Sequence, residues 1–314
     1  TDVTGTVSLP NDDRNFLGGL YRFFGNVDLY LNLSYSYFGA PGGTTPNGAC
    51  TGFCNLYAGN YRPPPDFAQF NNDIYVTGYS NVGIFNNSIG VNAAGNQALA
   101  NFSGVNTGVL AGDFYLGGIG SDNGNPISLG NLISGQKQDA IGVTGGFANG
   151  DCSGRGTALL IQGNKVGTDI TGSFAIRNGY DDSFGIYISQ AIGVTRGFAD
   201  TGSFGGDDPL ARNIVSGNAG DALNIGDNCF AALPVDLPVS NNLIGINTSL
   251  SPLGNGGTGI SIAASFVQIG GTSAAANQIA YNGSDNTAVH AGIVVLGRNS
   301  IPAVGVSIRG NSIP

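Results

Sequence analysis

Asn164-Lys-Val-Gly167 decides the fold, together with its echoes Asn87-Ser-Ile-Gly90 and Asn242-Leu-Ile-Gly245. The three phrases are evenly spaced (164 − 87 = 77 and 242 − 164 = 78). A looser form, Asn-x-(Ile/Val), also occurs at Asn72, Asn131, Asn213, Asn277 and Asn311. Self-similarity at a fixed period marks a repeat architecture and takes precedence over any local reading.

Working outward, each Asn phrase is followed by Gly-led apolar stretches: Gly108-Val-Leu110, Gly185-Ile-Tyr-Ile188 and Gly259-Ile-Ser-Ile262. A third kind of stretch, Ala191-Ile-Gly-Val194 or Val267-Gln-Ile-Gly-Gly271, closes the pattern. The stretches alternate apolar with small or polar residues, the period of a strand with one buried face. Nothing sustains a 3.6-residue period, so little helix is expected. One unit of 77 residues then holds two turns of three short strands. The expected fold is all-β, a parallel β-helix. At its bends Asn tolerates the left-handed region and bonds nearby backbone. Stacked amides can also bond to one another, as in Asn ladders of cross-β structures. The expected ladder is Asn87, Asn131, Asn164, Asn213, Asn242, Asn277 and Asn311.

Asn164-Lys-Val-Gly-Thr-Asp169, Gly185-Ile-Tyr-Ile188, Asn213-Ile-Val-Ser-Gly-Asn218 and Val267-Gln-Ile-Gly-Gly271 resemble the repeats of right-handed parallel β-helix proteins of bacterial secreted and cell-surface type. The resemblance spans about residues 72–314. It implies an architecture and an extracellular or cell-surface location. It does not imply one activity, since such coils serve as adhesins, surface polymers and polysaccharide-acting enzymes.

Composition agrees with the coil. The chain has 314 residues, with 54 Gly and 35 Asn, and neither Met, Trp nor Glu. Lys occurs only at 137 and 165. Glu and Lys are helix formers, so their scarcity suits an all-β chain. Hydrophobic residues make up 41% and charged residues 10%, which is not the composition of disorder. A net charge of −9 without clustered Lys or Arg argues against nucleic acid. No apolar run is long enough for a membrane span.

Residues 1–71 carry no Asn-x-Ile unit and are rich in aromatics: Phe16, Tyr21, Phe23, Phe24, Tyr30, Tyr35, Tyr37 and Phe38. They are read as a β-rich cap or assembly segment, with the coil over 72–314. Cys50 and Cys54 share a Gly-rich loop and are expected to pair. Cys152 and Cys229 lie one unit apart (229 − 152 = 77) and are expected to pair as well. An even count with no nearby His favours disulfides and an oxidising compartment over metal.

Two stretches, Phe147 to Thr157 and Arg196 to Leu210, read as loops leaving the coil, where binding or chemistry usually sits. They hold Arg155, Asp207 and Asp208; Asp181 and Asp182 lie nearby in sequence. Paired carboxylates could serve sugar hydrolysis. Tyr180-Asp-Asp-Ser183 and Gly206-Asp-Asp-Pro209 resemble the Asp-Asp signature of polygalacturonase-like β-helix enzymes, but no Gly-His-Gly follows and no Arg-x-Lys is present. The only histidine, His290, is remote in sequence. Asp-rich turns can hold calcium through oxygen ligands. Without a Gly-Gly-x-Gly-x-Asp tandem, no cofactor is expected. The reading favoured is a secreted or surface structural protein that assembles head-to-tail, N-terminal segment against C-terminal turn. The alternatives are a polysaccharide-acting lyase or hydrolase, and an adhesin or receptor-binding fibre; for either, carbohydrate is a natural partner.

Overall fold

The structure is a computed structural model. It describes residues 16–17, 22–23, 29–32, 36–38, 50, 54–59, 74–78, 81–110, 113–144, 158–179, 190–195, 202–226, 237–283, 291–297 and 302–313. These residues form a parallel β-helix. A nine-stranded sheet and two eight-stranded sheets run its length, and every strand within them pairs in parallel with its equivalent one turn away. The chain visits the three sheets in rotation. No α-helix occurs among the described residues.

Alternation places every second residue of a strand inside, and parallel register stacks these residues along the axis. In the first sheet one inward column is Phe38, Ile84, Leu116, Ile161, Phe204, Val239, Ile269 and Ile308. In the second it is Tyr57, Ile89, Ile133, Val166, Val215, Ile244 and Ile279. The third column runs Ile74, Val105, Ile141, Ile192, Leu223, Ile260 and Ile293. All but the two end residues, Ile293 and Ile308, are buried, and most of them form one continuous core. Each turn covers the apolar ends of its neighbours, so burial is shared between adjacent turns only.

The two-turn period has a structural cause. Ile84, Ile161 and Val239 occupy one column two turns apart (161 − 84 = 77 and 239 − 161 = 78). Odd turns cross from first to second sheet by a tight corner, then throw out a loop after the second sheet: residues 90–99, 167–176 and 245–253. Even turns do the reverse. Their excursions come at the first corner: an antiparallel hairpin, Ile119–Asp122 with Asn125–Ser128, and the single 3-10 turns Pro209–Ala211 and Ser273–Ala275.

Four expectations need correction. The boundary at residue 72 marks no break in the sheets, because strands from Phe16–Leu17 to Leu56–Tyr57 already lie in register with the coil. Asn72-Asp-Ile74 is not a ladder phrase, since Ile74 opens a strand of the third sheet, not the second. The equivalent of Gly259-Ile-Ser-Ile262 two turns earlier is Ala191-Ile-Gly-Val194, with Ile192, Leu223 and Ile260 in one column. Val267–Gly271 instead belongs with Phe114-Tyr-Leu-Gly-Gly118 and Gly202-Ser-Phe-Gly-Gly206 in the first sheet. Arg196–Leu210 is accordingly not one long loop: Gly202–Gly205 is a core strand, and Phe204 is fully buried. A bulky aromatic among glycines looked like loop, but it fills a slot that Ile161 and Val239 fill in the adjacent turns.

Candidate functional site

The bends carry the clearest polar construction. Asn55, Asn87, Asn131, Asn164, Asn213, Asn242, Asn277 and Asn311 stack in a ladder. Each Nδ2 donates to the Oδ1 one turn on, at 2.8–3.1 Å. The same Oδ1 accepts the preceding Asn backbone N–H, as Asn213 does from Asn164 at 2.9 Å. The second amide hydrogen goes to a carbonyl one turn back, as from Asn164 to Leu116 at 2.8 Å. Asn164 and Asn242 have no solvent exposure. The ladder thus satisfies groups that would be costly to bury alone. It includes all seven expected residues and adds Asn55, where Tyr57 stands in place of Ile and hid the phrase.

A second ladder escaped the sequence reading. Asn178 donates to Asn218 at 2.9 Å, Asn218 to Asn255 at 2.9 Å, and Asn255 to Asn282 at 2.8 Å. Below them Gln136 donates its backbone N–H to Asn178, and its side chain accepts from Asn101. In even turns the signal was legible as Asn-x-(Ile/Val)-x-x-(Asn/Gln), in Asn131 to Gln136, Asn213 to Asn218 and Asn277 to Asn282. In odd turns the intervening loop breaks the spacing.

Those loops build the most prominent outer feature, a ridge of three stacked hairpins. Bridges Val91 with Ala98, Thr168 with Ala175 and Ile246 with Pro252 close their bases. Asn92, Asp169 and Asn247 brace the tips, each accepting backbone N–H groups from the far side, as from Asn96, Ser173 and Ser251. The hairpins bond to one another across two turns: Ile170 N–H to Gly95 C=O at 2.8 Å, and Thr248 N–H to Gly172 C=O at 3.2 Å. Small apolar clusters lie beneath them, Val91, Leu132 and Ile176 in one, and Ile214, Leu243, Ile246 and Ala280 in the other. Phe174 stands at the second tip, 72% exposed.

Lys165 lies under this ridge and donates from Nζ to Ile170 C=O at 2.6 Å. Burial pulls its ammonium down to about 8, against the opposing pull of Asp169. Asp139, near the entry to the third sheet, is pushed up to about 6 by burial, which the hydrogen bonds from Gln190 only partly offset.

The other sequence candidates divide. Cys50 and Cys54 form the expected disulfide, with Cα atoms 5.2 Å apart. It packs outside the second sheet with Leu56 and Ala58. Asp207 and Asp208 are exposed, and Asp208 caps the turn Pro209–Ala211 by accepting from Leu210 N–H at 2.8 Å. Asp181, Asp182, Arg155, Cys152, Cys229 and His290 lie outside the described residues. Among the described residues no group of three His, Cys, Asp or Glu side chains converges as a metal site would require. The outward column of the first sheet, Tyr115, Leu160, Ser203, Pro238 and Gln268, carries no carboxylate. No helix among the described residues is long and apolar enough to cross a membrane.

What sequence reasoning missed most is the distribution of exposed apolar side chains. Leu250, Phe266, Tyr281, Val295, Leu296, Val304, Ile308 and Ile313 crowd into the last two to three turns, against Leu99, Ile119 and Phe174 elsewhere among the described residues. The chain matches no protein-family model, no curated protein and no solved structure.

Proposed function

We propose that the protein is an extracellular or cell-surface structural coil that assembles end to end with further copies of itself. The observation that carries this is the crowding of exposed apolar residues at one end. Val295, Leu296, Val304, Ile308 and Ile313 are each 43–48% exposed on the final described turn. At the opposite edge of the same three sheets lie Phe16–Leu17, Arg22–Phe23 and Leu29–Asn32. Unpaired strand edges recruit other chains. A head-to-tail contact is heterologous and propagates as a filament unless its rotation closes a ring. A charged fraction of only 10% offers little electrostatic defence against association. The Cys50–Cys54 disulfide supports the oxidising location.

Electron microscopy and sedimentation of the full chain test the reading. Short rods of stacked subunits, dispersed by the double substitution V304D/I308D, are expected. Monodisperse monomer at high concentration rejects it.

A further inference from the structure

We propose that Asn123 is a site of spontaneous, water-driven modification, the conversion of asparagine to aspartate and isoaspartate, while the coil shields the same chemistry elsewhere. In this reaction the backbone nitrogen of the following residue attacks the Asn side-chain carbonyl carbon. The new C–N bond closes a succinimide ring and ammonia leaves. Water then opens the ring at either carbonyl, giving aspartate or, with the main chain rerouted through the side chain, isoaspartate. No oxidant or cofactor is needed. A following glycine favours the attack because no side chain obstructs it.

The described residues contain four Asn-Gly pairs: Asn123-Gly124, Asn178-Gly179, Asn255-Gly256 and Asn282-Gly283. Three belong to the second ladder, and there both reacting groups are tied. The attacking amides donate to carbonyls: Gly179 to Gln136 at 3.0 Å, Gly256 to Asn218 at 2.9 Å and Gly283 to Asn255 at 3.0 Å. The amides under attack are held as well. Asn178 donates to Ile133 C=O and Asn218, and Asn255 to Val215 C=O and Asn282. Asn178 and Asn255 are buried, and Asn282 is half-buried.

Asn123 is the exception on each count. It sits with Gly124 at the tip of the hairpin Ile119–Ser128, and both residues are exposed. The Gly124 N–H has no partner among the described residues, and nothing lies within 4 Å of where a Gly124 Cβ would stand. The Asn123 side chain makes one contact, from Nδ2 to Asp122 Oδ1 at 3.0 Å. Left-handed φ values of 48° and 82° define the two-residue turn that Asn-Gly favours. Isoaspartate lengthens the main chain inside that turn, and either product sets a new carboxylate beside Asp122. The modification therefore loosens this hairpin and leaves the ladders intact.

The test ages the folded full chain in mildly alkaline buffer and maps peptides for amide-to-acid mass gain and for isoaspartate. An equal sample held in denaturant serves as reference. In denaturant the four sites should convert at similar rates. In the folded chain Asn123 should convert roughly tenfold or more faster than Asn178 or Asn255, because reaction there must first break ladder hydrogen bonds. Asn282 should fall between. An intact Asn123 while the denatured reference converts would overturn the proposal. So would conversion of Asn178 or Asn255 as fast as Asn123 with circular dichroism unchanged.

Discussion

A single ladder amide does four jobs at once, which makes its removal costly and position-dependent. Asn164 Oδ1 accepts from both the backbone N–H and the Nδ2 of Asn131, and its Nδ2 donates to Asn213 and to Leu116 C=O, all without solvent. Asn164→Ala should destabilise by about 1–3 kcal/mol, the cost of stranding buried partners. Asn311→Ala, at the half-exposed end of the column, should cost about 1 kcal/mol or less, since water can replace the lost bonds. Denaturant unfolding of both variants checks the contrast; equal losses would mean the ladder is not a buried network. Asp139 contributes with the opposite sign. Its folded pKa of about 6 lies above the ordinary value of 3.8, so the folded state holds the proton more tightly. Its contribution is therefore most favourable below about pH 4 and fades as pH rises through 6. Asp139→Asn should flatten that slope and stabilise at neutral pH by about 1–2 kcal/mol, reduced from the full shift because the carboxyl keeps some solvent contact. Unfolding curves at acid and neutral pH measure both.

At the scale of elements, legibility followed how directly a residue's physics reports its place. Asn before x-Ile was legible because a bend, a buried amide and an inward β-branched residue must coincide once per turn. Tyr57 and Phe204 fill the same inward slots with aromatics, so the first turns and the strand Gly202–Gly205 were lost to a template built on Ile and Val. The ridge was invisible as a unit because hairpins joined across two turns lie 77 or 78 residues apart in sequence (170 − 93 = 77 and 248 − 170 = 78). The tips still carry a readable anomaly. Gly95 and Gly172 take left-handed φ of 67° and 72°, but Leu250 takes 60° at the equivalent place. Tyr281 likewise, at 58°, replaces Gly135 and Gly217. A non-glycine residue there costs roughly 1–2 kcal/mol, and glycine loses about 0.5–1 kcal/mol through entropy. Both side chains are more than half exposed, so packing does not repay the strain. Leu250→Gly and Tyr281→Gly should hold stability or raise it by up to about 1 kcal/mol. A loss larger than that in thermal or denaturant unfolding would show that these side chains pack rather than project.

The described residues form a column in which the three sheets keep the same order from end to end. Phe16–Leu17 and Ser307–Arg309 are the outermost strands of the first sheet, Arg22–Phe23 and Gln278–Ile279 of the second, where Ser312 already bridges Gln278, and Leu29–Asn32 and Ile293–Val295 of the third. Parallel pairing is translational, so a copy displaced along the axis can continue all three sheets without turning over. Inside the column each turn is covered by the next, and the core residues of interior turns are wholly buried. At the last described turn burial is lower: Ile293 is only partly buried, and Ile308 is 43% exposed in the column where Ile269 is 1% exposed. Association driven by this apolar surface has a signature distinct from charge pairing. It should persist in high salt, where screened ion pairs fail, and weaken on cooling, where apolar burial loses strength. Val304→Asp with Ile308→Asp places charge on the end face and should abolish end-to-end polymers while circular dichroism of the coil is retained. Removing residues 1–40 deletes the opposite edge and should do the same from the other side. Mixing the two variants supplies the deciding case. Each retains one intact end, so together they should form dimers that neither forms alone, and dimers that do not appear, in a mixture where both coils remain folded, would rule out the head-to-tail contact.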